Sequence, residues 1–367
     1  MARKTEGKLN VAIIGSQGVP PKYGGFETLV DNLLTHKSED VDYTVFCSGP
    51  DMASGLSEYK GAKLRYVQLR AHGVMSVPYD IISMIKTFTG YDAVLILGVS
   101  GGMFLPVFKL LSKAKTIVNI DGLEFKRKKW KKFAAKFLKK SLDSCVRWAD
   151  VIVSDNKGIQ DYVRRHYGKE AKLISYGGDH ALRKLEISRQ ESLLDYYGLA
   201  AKKYDLSICR IEPENNCDLT LETYQDCGRE LVFVGNWHHS DYSRSLYLQY
   251  KDNPHLHLLD SIYDADILYT LRNNARRYIH GHRAGGTNPS LVEAMQFDIP
   301  LIVFDVVYNR ETTFNLANYY HDKDSLSKLI QSDTLESNLK EKASAEYNWR
   351  HIAGQYENLY NAKPDVS

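Results

Sequence analysis

Nowhere in these 367 residues does an apolar run approach the ~18 to 20 residues of a bilayer-spanning helix, so the sequence predicts no integral membrane anchor. Met1 to Asn10 is polar and charged and lacks the apolar middle of a secretory leader, which points to a protein kept in the cytosol. Cysteine is scarce. The five, at positions 47, 145, 209, 217 and 227, are odd in number and lack CxxC spacing, which argues against a disulfide framework or a cysteine zinc site and leaves reduced, structural thiols. Repeats of 20 to 50 residues and low-complexity tracts are missing, so solenoids and disordered arrays are excluded. Neither charge sign dominates: 48 basic residues against 45 acidic leave a net +3, which by itself identifies no partner.

What is present is ordinary for a globular protein, 43% hydrophobic and 25% charged, at a length that favours two domains. Leu9 to Ile14 is an apolar run ending in Gly15-Ser-Gln-Gly18, followed by the turn Val19 to Gly25 and a helical spacing of Phe26, Leu29, Val30, Leu33 and Leu34. Further strands are predicted at 43–47, 63–69, 93–97, 116–120, 151–154 and 172–175, mostly separated by helices. Alternating strand and helix with continuously apolar strands is the pattern of a parallel sheet covered on both faces. The pattern lapses between Gly177 and Tyr204, apart from a predicted helix at 188–197, and restarts with strands at 205–209, 231–234, 256–259, 277–279 and 300–304. The fold class is therefore α/β, with two doubly wound domains whose strand ends form the natural ligand rim.

The stretch His280 to Met295 joins a strand end, a glycine turn and a helix start. Gly285 and Gly286 permit the turn, Pro289 suits a first helical turn, and the helix is expected near Asn288. Its first N–H groups, with the Thr287 and Ser290 hydroxyls, would make a socket for an anion such as phosphate, and Glu293 one turn on could grip sugar hydroxyls. The same residues also read as a simple helix cap. A dinucleotide site is a poorer fit: Gly15 and Gly18 are not spaced GxGxxG, and the second strand ends in Phe46-Cys-Ser-Gly49 without a ribose-binding acid.

Set side by side, Asp205-Leu-Ser-Ile-Cys-Arg-Ile-Glu-Pro-Glu-Asn-Asn216 and Gly285-Gly-Thr-Asn-Pro-Ser-Leu-Val-Glu293 resemble the family 4 glycosyltransferases. In that family a strand-end arginine and a lysine five residues later hold the donor diphosphate, and two glutamates spaced E-x7-E contact the donor. By position, Arg210 matches the arginine and Glu293 the second glutamate. Asn215 stands where the lysine would be, and Gly285 where the first glutamate would be; Lys22 and Arg283 are nearby substitutes for the missing charge. Tyr23-Gly-Gly-Phe-Glu-Thr28 resembles the glycine loop near the diphosphate, Val234-Gly-Asn236 the next strand-end turn, and Leu259 to Tyr263 the segment beside the base. The combination of Tyr23 to Thr28, Arg210 to Asn216 and His280 to Ser290 looks like bacterial rhamnosyltransferases of capsule and cell-wall polysaccharide assembly, and the resemblance extends to Asn119 to Arg127 and Tyr347-Asn-Trp349.

The resemblance implies a GT-B enzyme with an acceptor-side domain at 1–180, a nucleotide-sugar domain at 181–348, and helix 349–367 returning to the first. It implies retaining transfer of a sugar, L-rhamnose from dTDP-rhamnose being the expectation, to a lipid-diphosphate-linked glycan acceptor, with no cofactor. The donor site would comprise Gly24, Gly25, Arg210, Asn215, Asn236, Thr287, Asn288, Pro289, Ser290 and Glu293. Arg210 suits the departing diphosphate because its planar, permanently charged fork engages two phosphate oxygens. Asp121 and His282 are further catalytic candidates, an Asp capping a loop and a core histidine being the alternatives. Glu27 is assigned to the acceptor, although a first-turn helix carboxylate needs no substrate. No metal is expected, since Asp260, Asp264 and Asp266 form no DxD triplet. Other readings are a different donor such as UDP-N-acetylglucosamine, a nucleotide-sugar isomerase releasing free product, and a noncatalytic sugar-nucleotide or polyanion binder.

Lys126 to Lys140 carries nine basic residues in fifteen, interleaved with aromatics. A cationic amphipathic helix of this kind suits an anionic membrane surface. Lys128, Lys129, Trp130, Lys132, Phe133, Lys136 and Phe137 are the expected membrane-facing residues, at the inner face of the cytoplasmic membrane. A solvated basic face is the alternative, and nucleic acid is not expected as a partner.

Overall fold

The structure, a computed structural model, describes residues 7–21, 24–52, 55–120, 122, 132–336 and 338–361. The chain divides into two compact units: Met1–Tyr176 with Trp349–Ser367, and Gly177–Asn348. The division falls just ahead of the 180/181 boundary expected from the sequence, because Gly178 is already held by the second unit through the Tyr347 carbonyl.

In the first unit the strands are β1 (Leu9–Ile14), β2 (Val41–Ser48), β3 (Glu58–Tyr59), β4 (Ala62–Val67), β5 (Ala93–Leu97), β6 (Lys115–Asn119), β7 (Val151–Ser154) and β8 (Lys172–Leu173). They form one sheet in the order β3-β4-β2-β1-β5-β6-β7-β8, parallel except for the β3–β4 pair. Its helices are α1 (Gly25–Thr35), α2 (Ser76–Ile85), α3 (Leu105–Leu111), α4 (Lys132–Trp148) and α5 (Lys157–Tyr167). The central strands are sheathed on both faces, so β5 and the last four residues of β1 can be continuously apolar: Val11 to Ile14 and Ala93 to Leu97 are all buried. The unit's final helix, Trp349–Asn361, buries Trp349, Ile352 and Tyr356 beside the β1 and α1 side chains, and the Asn119 amide donates to the Tyr356 hydroxyl at 2.8 Å.

The second unit contains α6 (Ile187–Tyr196), β9 (Asp205–Ile208), α7 (Cys217–Cys227), β10 (Leu231–Val234), α8 (Asp241–Tyr250), β11 (Leu256–Leu259) and α9 (Ala265–Asn274). It continues with β12 (Arg277–His280), α10 (Pro289–Ala294), β13 (Leu301–Phe304), α11 (Val307–Thr312), β14 (Asn318–Tyr320), α12 (Lys323–Gln331) and α13 (Lys340–Glu346). Its six strands are ordered β11-β10-β9-β12-β13-β14, all parallel. From β9 the chain winds outward one way through β10 and β11, then crosses back to β12 and winds the other way. The switch of direction therefore lies between β9 and β12, where loops part at the carboxyl ends and leave a crevice. In the first unit the corresponding switch lies between β1 and β5.

The strand positions read from the sequence agree with those observed to within two residues, apart from a shorter β8, and both domains are doubly wound. The short β3 and β14 were not foreseen. At two and three residues, neither is long enough to show a period.

Candidate functional site

At the switch point of the second unit, β9 runs into Cys209-Arg210-Ile211 and a single 3-10 turn, Pro213–Asn215, before α7. The Arg210 side chain is exposed. No hydrogen bond or ion pair to its guanidinium is formed among the described residues, Glu212 and Glu214 included. Its backbone, in contrast, is pinned. The Arg210 carbonyl accepts from the Asn215 amide at 2.7 Å, and the next N–H, of Ile211, donates to Asn236 Oδ1 at 2.7 Å. Asn215 is buried and spends its amide on this turn, while Asn236 ties the β9 and β10 ends together. Both residues expected at the donor thus hold up the arginine's loop.

The neighbouring strand end, at β12, is stitched to the same loop. Asn216, in the left-handed region at φ 51°, donates its amide to the Gly281 carbonyl at 2.9 Å, and the Arg283 N–H donates to the Glu214 carbonyl at 3.0 Å. A Cβ on Gly281 would stand 2.3 Å from the Asn215 carbonyl oxygen, so only glycine permits the two backbones to meet. Tyr278 donates its hydroxyl toward the Ile208 carbonyl at 3.1 Å and Ser290 Oγ at 3.3 Å, linking β9 to the start of α10.

The expected anion socket at the α10 start needs correction. Asn288 is the N-cap: its Oδ1 accepts from the Ser290 N–H at 3.0 Å and the Ser290 hydroxyl at 2.9 Å. Leu291 and Val292 N–H both donate to the Asn288 carbonyl, and Pro289 has no N–H. Every early donor of the helix is therefore absent or spent, and the Ser290 hydroxyl proton with them; the capping alternative describes Asn288, Pro289 and Ser290. Thr287 is buried. Free donors lie one step earlier, in the turn Gly285-Gly286, whose N–H groups donate to no backbone carbonyl among the described residues. Gly285 has φ 125°, a conformation that a side chain would strain.

Glu293 does not project freely. It forms an ion pair with Arg272 of α9, whose side chain is 3% exposed, and its other oxygen lies 3.2 Å from His180 Nε2. Burial pushes the Glu293 carboxyl upward, but the Arg272 charge and the His180 contact outweigh it and leave its pKa below the usual value. A carboxylate has about four lone-pair sites, so two protein donors leave it acceptor capacity for a hydroxyl. Neither Arg272 nor His180 was singled out from the sequence. They are 21 and 113 residues from Glu293, and no local spacing relates them.

His282 is half-buried, its ring stacked on His280 with centroids 4.3 Å apart and planes 9° apart, and its carbonyl accepts the Asn309 amide at 2.8 Å. Burial drives the His280 pKa down to about 3, so that ring is neutral, and its Nε2 has no hydrogen-bond partner among the described residues. The neutral ring gives His282 a flat, rigid backing at the rim.

In the first unit Gly24, at φ 125°, precedes α1, and Glu27 turns back to accept the Gln17 N–H at 2.8 Å. Glu27 is buried, and desolvation raises its pKa against the pull of that amide. This carboxylate braces the loop after β1, the local role open to a first-turn acid. Asp121, Lys22, Lys128, Lys129 and Trp130 lie outside the described residues, as does the Lys132 side chain. Among the described residues no group of three or more His, Cys, Asp or Glu side chains is placed to hold a metal ion.

The sucrose-phosphate synthase of Thermosynechococcus elongatus matches at a TM-score of 0.79 with 16% identity, covering 96% of this chain and 98% of that one. HepE of Anabaena, solved in complex with UDP-glucose, matches at 0.74 with 15% identity, over 96% and 99%. The catalytic domain of starch synthase IV of Arabidopsis thaliana, bound to ADP and acarbose, matches at 0.68 with 13% identity, over 96% and 99%. The fold is GT-B. Residues 8–179 also match the model of a domain of unknown function, DUF1972, which covers most of the first unit. No curated protein sequence matches the chain.

Within that fold, the second unit brings together Arg210, the Gly285-Gly286 turn, His282 and the Asn288–Glu293 helix on adjacent strand ends. Gly24, Gly25 and Glu27 belong to the other unit, at the start of its helix α1.

Proposed function

We propose that the protein is a glycosyltransferase that takes its sugar from a nucleotide donor bound by the second unit. The observation that carries this is Arg210: a cation with no acidic partner among the described residues, on a loop fixed by its own turn and by two neighbouring strand ends, at the topological switch point of a GT-B fold. An arginine held this way is preorganised to receive the diphosphate as the sugar–phosphate bond breaks, where the site must stabilise growing negative charge. The N–H groups of Gly285 and Gly286 supply neutral donors to the same leaving group. Glu293, kept ionised by Arg272, takes the hydroxyls of the nucleotide's ribose.

The transfer is proposed to retain anomeric configuration, the departing phosphate oxygen accepting the acceptor's proton on the same face. The donor is proposed to be dTDP-L-rhamnose, on the resemblance of the segments 23–28, 210–216 and 280–290 to rhamnosyltransferases of surface polysaccharides. The acceptor is proposed to be a lipid-diphosphate-linked glycan at the cytoplasmic face of a membrane. No described helix is long and apolar enough to cross a membrane, so that association is peripheral in this reading.

The test is transfer of labelled sugar to membrane lipids from dTDP-rhamnose and, separately, UDP-N-acetylglucosamine. Labelled lipid with dTDP-rhamnose alone supports the full reading, and labelling with the second donor alone corrects the sugar. Free sugar released at the same rate with and without lipid would replace transferase by isomerase or hydrolase. Chelation with EDTA is expected to leave the transfer rate unchanged.

A further inference from the structure

We propose that α3 and α4 together form a bilayer-docking surface of the first unit, with Leu110 and Leu111 of α3 entering the headgroup region of an anionic membrane. The inference rests on the proposed lipid-held acceptor for its biological sense, and on the surface itself for its physical argument. Helix α3 spans only seven residues, Leu105–Leu111. Its inward side, Leu105 and Phe108, is fully packed, at 1% and 0% exposure. Its outward side is apolar as well: Val107 is 44% exposed, Leu111 57% and Leu110 84%, and Met103 just before the helix is 49% exposed. A single exposed leucine is unremarkable on any protein; a helix that is apolar on both sides has a second apolar phase to meet.

Helix α4 lies beside it. The Lys109 ammonium sits 2.6 Å from Asp150 at the α4–β7 corner, and a Cβ on Gly102 would meet Cys145 and Ser141 of α4. The outward stripe of α4 adds Phe133 at 85% exposure and Trp148 at 46%, with the cations Lys136, Lys140 and Arg147 exposed between them. Lys113, just past α3, is exposed too. The acid of α4, Asp143, is neutralised by Lys139 at 2.5 Å.

Aliphatic side chains flanked by unneutralised cations complement an interface that is apolar below and anionic above. A second copy of the chain is a poorer occupant, since a two-fold contact through Leu110 would bring Lys113, Lys136 and Lys140 toward their own copies. Nucleic acid leaves the leucines without a partner.

Flotation of the full chain with phosphatidylcholine vesicles, with and without phosphatidylglycerol, tests the proposal. The chain is expected to float with the anionic vesicles and to remain behind with the neutral ones. L110D/L111D should weaken the partition coefficient by roughly tenfold or more, and K136Q/K140Q by roughly fivefold per charge removed. L248D, on an exposed leucine of the second unit, should float as the wild type does. Equal binding to both vesicle types, or wild-type flotation of L110D/L111D together with K136Q/K140Q, would overturn the proposal. So would a lipid-free dimer that L110D/L111D converts to monomer. Nucleotide-sugar binding by the same variants separates the two proposals: a chain that floats but binds no donor refutes the transferase reading and leaves the docking surface standing.

Discussion

Arg210 and Arg272 show how differently two arginines of one site are used. Arg210 is exposed and has no ion-pair partner among the described residues, so Arg210→Ala should leave stability within about 0.5 kcal/mol while lowering kcat on the order of 100-fold or more, the scale of losing one transition-state donor. Arg272 is buried against Glu293, and Arg272→Ala should destabilise the second unit by about 3 kcal/mol, because it removes the permanent charge that compensates a buried carboxylate and leaves only His180 beside it; chemical denaturation measures it. Arg210 was legible in the sequence, being a charge at the end of an apolar run. Arg272 was not, because its partner lies on another helix. Asp80 supplies a pH dependence. It is fully buried on α2, accepts the Gly101 N–H at 3.1 Å, and desolvation raises its pKa to about 8. A carboxyl whose folded pKa is raised gives stability that is complete below its unfolded value of roughly 3.9 and is lost as pH climbs through about 8. Asp80→Asn should therefore raise Tm relative to wild type at pH 8, and the difference should vanish near pH 4.

Among the elements, α10 and α3 mark where sequence reasoning stops. The start of α10 near Asn288 followed from Asn-Pro-Ser, and both the cap and the anion socket were compatible with those letters. Side-chain geometry decided it: the Asn288 oxygen faces Ser290, which moves the available N–H donors back to Gly285 and Gly286. Asn288→Ala should accordingly cost about 1 kcal/mol of stability, the scale of a lost cap, with donor affinity changed less than by Arg210→Ala; a melt and a binding titration on one variant check both. Helix α3, Leu-Pro-Val-Phe-Lys-Leu-Leu, is apolar except for Lys109 and too short to show which side faces in. Its outward leucines emerge only once Phe108 and Leu105 are seen to fill the inner side.

Across the molecule, the doubly wound character of both units was readable because parallel strands buried on both faces are apolar without alternation, and twelve such runs are mostly spaced by helices. The order of the strands was not readable, and it is the order that puts the switch point between β9 and β12 and so gives Arg210 its significance. The central claim is that the second unit binds a nucleotide sugar through Arg210. Thermal-shift titration of wild type and Arg210→Ala against dTDP-rhamnose, UDP-N-acetylglucosamine and the free nucleotides tests it most directly, since a ligand bound only by the native state raises Tm with concentration. Wild type is expected to show a concentration-dependent rise with dTDP-rhamnose, and Arg210→Ala little or none. No shift with any nucleotide sugar, or an equal shift in both proteins, would contradict it.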